Sequence, residues 1–439
     1  MARTDTLVAR VPGTPLPEAG PGARCSAELT RADVAAMVRD EVQRWLPPAE
    51  GAGRDPLGLA RVVTQEVRWA GTHSLDRSLL ADLAAVRDAR RGQDARLDAF
   101  LDCVLARYDD RYWNRPYLCL PLLEQFVEGP RAPLTHTGLV ALLAADLVRF
   151  ELCASRRATP VSALGRPDSR TLRTRLRHAV RLLTADLGED LGAVLLGGVS
   201  ADPLAGLPEV LARLPIAPAP WAVEWLEVSV LPTSTVHDET FFIRALQAHE
   251  MLYAAAARLV GDATACLQAG RPDLAAGLVD RVTAMVDRGQ SLFRMVATMR
   301  YEAFHTFRES TDGASAIQSE QYKRFEVRCG TPPRDRLDCP AFEQVPSVSA
   351  ELADGRESLA GAWRAARMRR SDDPGLARLA TAMAALEASH RRWKGTHVTV
   401  ATRMLGAARG SGHTSGVAYL RAWVDHRLFW AVPELDPQQ

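Results

Sequence analysis

A chain of 439 residues with 47% hydrophobic content holds enough apolar material for two or three ordinary domains, or for one large body with an extension. Its net charge of +1 leaves no positive surplus for neutralising phosphates, so no nucleic-acid partner is expected. All 54 basic residues except Lys323 and Lys394 are arginine, a bias that fits a GC-rich genome. The seven cysteines are scattered and form no CxxC pair, which argues against a zinc site or a disulfide framework and fits a reducing, cytoplasmic setting.

In chain order, residues 1–24 lack an apolar core of signal-peptide length and read as a disordered lead. "TRADVAAMVRDEVQRWL" then opens a helix, with Thr30 as its candidate N-cap and Pro47-Pro48 as its stop. Apolar residues recur at three- and four-residue spacing through "SLLADLAAVRDARRGQDARLDAFLDCVLARY", near 136–153 and over 169–188. The window "GLVALLAADLVRFEL" is interrupted by Asp146, Arg149 and Glu151 and is too short to span a bilayer, so no membrane partner is expected. Residues 25–200 thus form a helical N-terminal region, and the Pro/Gly-rich segment Gly197–Pro220 is the candidate boundary. Long helices follow at about 238–260, 270–308, 317–328 and 373–405, with "RCGTPPRDRLDCPAFEQVPS" as a loop-like interruption. Alternating β-branched runs are rare and give no convincing series of strands, and the fold expected is all-α.

Three stretches carry residues suited to chemistry. In "HDETFFIRALQAHEMLY", Phe242, Leu246, His249 and Tyr253 share one helical face, which suits a core stripe with a polar tip. In "FHTFRESTDGAS", Phe304 and Arg308 lie one turn apart before a small-residue loop; such an arginine either pairs on the surface or grips a carboxylate with two hydrogen bonds. In "WKGTHVTVATRMLGAARGSGHTSG", His397 falls on an apolar stripe with Leu379, Leu386, Trp393, Val400 and Met404, as either a core histidine or a metal ligand. The glycine loop that follows has no preceding strand and no Gly-Lys-Ser/Thr, so it is not a phosphate loop. Its glycines suit close backbone approach, with Ser411, Thr414 and Ser415 as donors.

Together, and in this order, "HDETFFI", "FRESTDGASAIQSEQY" and "WKGTHVTVATRMLGAARGSGHTSGVAYLR" resemble the signatures of the tryptophan 2,3-dioxygenase superfamily, across about Trp221 to Phe429. The resemblance implies an all-α, haem-binding helical bundle over 221–432, to which the N-terminal helical region is an addition. It also implies haem b as cofactor, with an aromatic amino acid and O2 as substrates and a homo-oligomer as an assembly to consider. His397 then corresponds to the proximal ligand of the haem iron, Arg308 to the substrate-carboxylate clamp, and Phe304 and Phe242 to the aromatic lining of the substrate pocket. Ser315 falls on the loop serine near haem or substrate, and Ser411 on the hydroxyl that meets the amino acid's charged end, beside Thr414. Trp393 and His249 are placed with the haem pocket. Two positions depart from the pattern: Leu246 stands where tryptophan dioxygenases carry a distal histidine, and His413 stands where they carry glycine.

The function this implies is a haem-dependent oxygenase acting on the ring of tryptophan or a modified tryptophan. The alternatives are a biosynthetic haem-dependent monooxygenase or hydroxylase of a tyrosine- or tryptophan-derived substrate, and a haem or aromatic-ligand sensor without turnover. No side chain is assigned as an acid or base.

Overall fold

The computed structural model describes residues 31–46, 54–111, 113–129, 132–155, 166–184, 219–311, 318–410 and 414–435. The expected lead over 1–24, nearly all of Gly197–Pro220, and Ser315, Ser411 and His413 lie outside the described residues. The fold is all-α, with no strand among the described residues. The chain divides into two compact units, Met1–Gln247 with Thr298–Asp312 and Ala248–Ala297 with Gly313–Gln439.

In the first unit the helices are α1 (Arg31–Trp45), α2 (Pro56–Ala70), α3 (Arg77–Arg90), α4 (Ala95–Val104), the short α5 (Asn114–Tyr117) and α6 (Leu120–Glu124), α7 (His136–Ser155), α8 (Ser169–Thr184) and α9 (Pro220–Glu227). The start of α10 (His237–Gln268) and all of α12 (Tyr301–Thr311) belong to it too. Aspartates start the early helices: Asp55, Asp76 and Asp94 each accept backbone N–H bonds from the first turn of α2, α3 and α4. Leu59, Leu83, Phe100, Phe126, Leu143, Leu176 and Phe241 are fully buried at the centre. Gly71, at φ 77°, ends α2 where any Cβ would strike the Thr233 carbonyl. The close approach lets Thr72 N–H bond Pro232 O at 2.8 Å.

The second unit holds the rest of α10, then α11 (Pro272–Val296), α13 (Glu320–Cys329), the short α14 (Arg334–Leu337) and α15 (Pro340–Glu343), α16 (Pro346–Ala353), α17 (Leu359–Arg369), α18 (Pro374–Leu405) and α19 (Val417–Ala422). Its backbone is the long pairing of α11 with α18. Val279, Val282, Val286 and Leu292 on one side and Leu379, Met383 and Leu386 on the other are buried. Asp373 caps α18 by accepting from Gly375 N–H at 2.8 Å, Pro374 takes the first helical position, and Gly406 at φ 55° closes the far end.

Two details differ from the sequence expectation. The stretch 270–308 is two helices, α11 and α12, because the chain turns at Ala297–Arg300. The loop-like segment after Gly330 contains α14, α15 and α16, and Pro340 and Pro346 occupy the first positions of the latter two.

Candidate functional site

Within the second unit, His397 sits three-quarters of the way along α18, on the stripe whose other members Leu379, Leu386, Trp393, Val400 and Met404 are buried. His397 itself is only half-buried. Its ring lies 4.8 Å from Phe293 of α11 and 5.7 Å from Trp393, one turn earlier. His249 of α10 stacks on Trp393 at 5.6 Å and meets Phe293 edge-on at 5.3 Å. Tyr253 and Tyr322 complete the group, and Tyr322 stacks on Trp393 at 5.0 Å.

The electrostatics keep these histidines neutral. Burial, with Lys323 adding to it, brings the His397 pKa down to about 4, and burial, with the proximity of His397 adding to it, brings His249 down to about 3. Among the described residues no hydrogen bond reaches the His397 ring nitrogens, so one is available as a neutral donor. Among the described residues the buried Nε2 of His249, Nε1 of Trp393 and Oη of Tyr253 also have no hydrogen-bond partner. Buried polar atoms left unmatched cost free energy unless something meets them, such as water or a bound group.

These residues fit a haem. Among the described residues no group of three His, Cys, Asp or Glu side chains gathers as a metal cluster. A haem iron, in contrast, needs one protein donor because the macrocycle supplies the others. A neutral histidine between aromatic walls, partly open and without a competing hydrogen bond, has the required character.

Behind this cluster lies a buried charged network. Glu326 takes two bonds from Arg336, at 2.8 and 3.0 Å, and Lys323 Nζ stands 3.5 Å from it. Burial works to raise the Glu326 pKa, but Lys323, Arg336 and His426 overcome it and hold the carboxyl well below its usual range. Burial lowers the Lys323 ammonium to about 8.

Within the first unit, Phe242 of α10 meets Phe304 of α12 edge-on at 6.3 Å and the buried Phe307 at 5.4 Å. Phe242, Leu246, Phe304 and Arg308 are all half-buried, so an apolar face with a guanidinium in the last turn of α12 is partly open. Such a set of side chains suits an aromatic amino acid: rings for its ring, a two-pronged cation for its carboxylate.

The first letters of the α10 motif have structural work. His237 Nε2 lies 3.3 Å from Glu151, Asp238 receives Arg175 at 2.7 Å, and Glu239 accepts from the N–H and hydroxyl groups of Thr233 and Ser234. The terminal glycine loop is closed by its own backbone: Gly410 N–H donates to Thr414 O at 3.1 Å, and a Cβ on Gly416 would stand 2.6 Å from Ala408 O. The Thr414 hydroxyl accepts from Gly416 N–H at 3.4 Å. What Gly410 and Gly416 approach is therefore the loop itself.

Sequence reading missed Phe293, Phe307 and Lys323. Phe293 sits in no motif, whereas Phe307 is the first letter of the "FRESTDGAS" stretch and was passed over for Phe304 and Arg308. Lys323 carried a signal, as one of only two lysines in an arginine-rich chain, and both are buried.

An all-α body that can present one neutral histidine to a haem iron defines a class, and comparison with known proteins makes it specific. The family model for tryptophan 2,3-dioxygenase matches residues 358–435, which include all of α18 and the terminal loop. A tryptophan 2,3-dioxygenase of Ruegeria pomeroyi is 30% identical over 242 residues, covering 46% of this chain and 84% of the relative. Those of Pseudomonas aeruginosa and of a Bradyrhizobium species are 29% and 27% identical, over 46% of this chain and 82% and 84% of the relatives. The chain belongs to the tryptophan 2,3-dioxygenase family, and it is a haem-dependent oxidoreductase. Among the described residues no helix is long and apolar enough to cross a membrane.

Proposed function

We propose that this enzyme inserts oxygen from O2 into the aromatic ring of tryptophan or a modified tryptophan, with His397 as the proximal ligand of haem b. The observation that supports this most directly is His397 itself: a neutral, half-buried imidazole beside Phe293 and Trp393, inside the segment that the family model matches. Haem, when bound, supplies the electronic activation of dioxygen.

The chain's own residues orient the substrate and exclude water. Phe242 and Phe304 take the ring, and Arg308 holds the carboxylate through paired N–H bonds. Ser411 and Thr414 meet the charged end, and Ser315, Trp393 and His249 line the haem. Holding the reacting ring carbon beside dioxygen in a dry setting is the main source of acceleration. No side chain is required as a base.

A second reading is favoured by Leu246, which offers no hydrogen-bonding group where the resemblance places an indole-reading histidine. Under it the enzyme is a biosynthetic monooxygenase or hydroxylase of a tyrosine- or tryptophan-derived substrate, and His413 adjusts its specificity.

The test is an absorption spectrum of protein expressed with ample haem. A Soret band that His397→Ala abolishes or greatly weakens is expected, and protein that takes up no haem refutes both readings. Product mass after aerobic incubation of the reduced enzyme with tryptophan then separates them. Addition of two oxygen atoms supports dioxygenation, and addition of one supports the second reading.

A further inference from the structure

Helix α8, "SRTLRTRLRHAVRLLT", contains five arginines and no acidic residue. Arg175 alone turns inward. Its guanidinium is buried and bonds Glu151 and Asp238 at 2.7 Å each and Thr298 Oγ1 at 2.8 Å. The other four, Arg170, Arg173, Arg177 and Arg181, are exposed. Their spacings of three, four and four residues align them in one stripe, about 16 Å long at 1.5 Å per residue. Among the described residues none of the four side chains has an ion pair or hydrogen bond, unlike several other arginines of the first unit. Arg87 pairs with Asp109, Arg91 with Asp102, Arg96 with Asp94 and Arg115 with Glu124. The nearest acid in sequence, Asp168, spends its carboxylate on Thr171 N–H at 2.7 Å. At the same end Arg300 is exposed and donates to Arg166 O.

Like charges one turn apart weaken a helix, so an unneutralised row of four is carried at a cost. We propose that this stripe is a docking surface for an acidic helix of a partner protein. Carboxylates on a helix at the same three- and four-residue spacing lie about 5–6 Å apart, matching the arginine row, and guanidinium groups bind carboxylates in pairs. A membrane surface is disfavoured by the other face of α8. An interfacial helix inserts its apolar side, but here Leu172, Leu176, Ala179, Val180 and Leu183 are already buried in the protein. A nucleic acid is disfavoured by the chain's net charge of +1, which provides no wide basic field around the stripe. The surface lies outside the segment matched by the family model and goes beyond the oxygenase reading, on which it does not depend.

The experiment uses the full-length protein, the variant Arg170→Gln/Arg173→Gln/Arg177→Gln/Arg181→Gln, and a fluorescent helical peptide with glutamates at three- and four-residue spacing. A peptide with glutamine at those positions, phosphatidylserine vesicles and duplex DNA serve as competitors. Low-salt anisotropy is expected to show the glutamate peptide binding wild type, with affinity falling about tenfold or more in the variant and on raising salt past physiological strength. The variant is also expected to melt at a higher temperature, since glutamine has similar helix propensity without the repulsion. Equal binding of the glutamate and glutamine peptides, undiminished binding by the variant, or tighter binding to the vesicles or the duplex would overturn the proposal. So would a variant that melts at or below the wild-type temperature.

Discussion

Arg308 shows how much a single side chain is asked to do. It stands half-buried in the last turn of α12, one turn after Phe304, where its guanidinium can meet a carboxylate in two-pronged fashion. Hydrogen bonds to a charged group contribute about 1.5–3 kcal/mol, so Arg308→Ala should raise the amino-acid dissociation constant by about tenfold to a hundredfold. The haem spectrum of the variant should be unchanged. Calorimetric titration with tryptophan checks this, and wild-type affinity in Arg308→Ala would end the carboxylate assignment. Arg308→Lys should recover only part of the loss, because an ammonium lacks the planar fork. At this scale the sequence was legible wherever a residue sat in a contiguous pattern: Trp393 and His397 one turn apart, Phe304 and Arg308 likewise. It was silent on Phe293, which reaches the His397 cluster from a helix with no distinguishing motif, while Phe307 stood in the motif of α12 and its place against Phe242 came only with the fold.

Among the elements, α8 and the start of α10 are held by the most demanding interaction in the first unit. Arg175 sits with its guanidinium 3.9 Å from the Phe241 ring and bonds Glu151 of α7 and Asp238 of α10. Asp238 also accepts from Arg300 N–H at 3.3 Å, where the chain turns into α12. Removing one member of a buried charge network leaves the others uncompensated, at a cost of about 3–5 kcal/mol. Arg175→Met is therefore expected to lower the denaturant midpoint sharply, and an unchanged midpoint would show that the network contributes little. The same network explains what the sequence did not disclose. Asp238 and Glu239 were read as letters of a motif, but their partners lie 63 and 122 residues away in Arg175 and Tyr117. The turn at Ala297–Arg300 carries neither proline nor glycine, so nothing local announced that 270–308 would be two helices. Pro340 and Pro346 stand at the first positions of α15 and α16, a helix-start signal that the loop-like expectation for this segment passed over.

For the whole molecule, pH dependence follows from groups held in one protonation state. Burial brings His426 down to about 4 and holds His390 well below its usual value. An unfolded histidine titrates near 6.5, so between about 4 and 6.5 the unfolded chain binds more protons than the folded one. Their contribution is complete above that window and is lost as the pH falls through it. Glu151 and Glu326, both held below the usual range, extend the loss below about 4.5, whereas Glu239 and Glu387, raised by burial, oppose it. Melting temperatures measured from pH 7 to 4 should fall, and His426→Gln should fall less steeply than wild type. At the alkaline end Lys323 and Lys394, both brought by burial to about 8, should add stability as the pH rises toward 10.5, and Lys323→Met should lessen that rise without abolishing it. Thermal melts at pH 8 and 10 in the two proteins decide it.

The burial of both lysines has a practical consequence for labelling chemistry. Lys323 and Lys394 are 4% and 8% exposed, and both belong to the second unit. A native chain should therefore react with an amine-specific ester at its amino terminus alone, and a lysine-specific protease should leave it uncut. Each lysine that becomes reactive then reports an opening of the unit that carries His397. Mass spectrometry over time would count those openings in a single experiment, without any engineered probe, and haem should slow them if His397 holds it. A native protein that labels at both lysines within seconds would contradict the burial on which this clock depends.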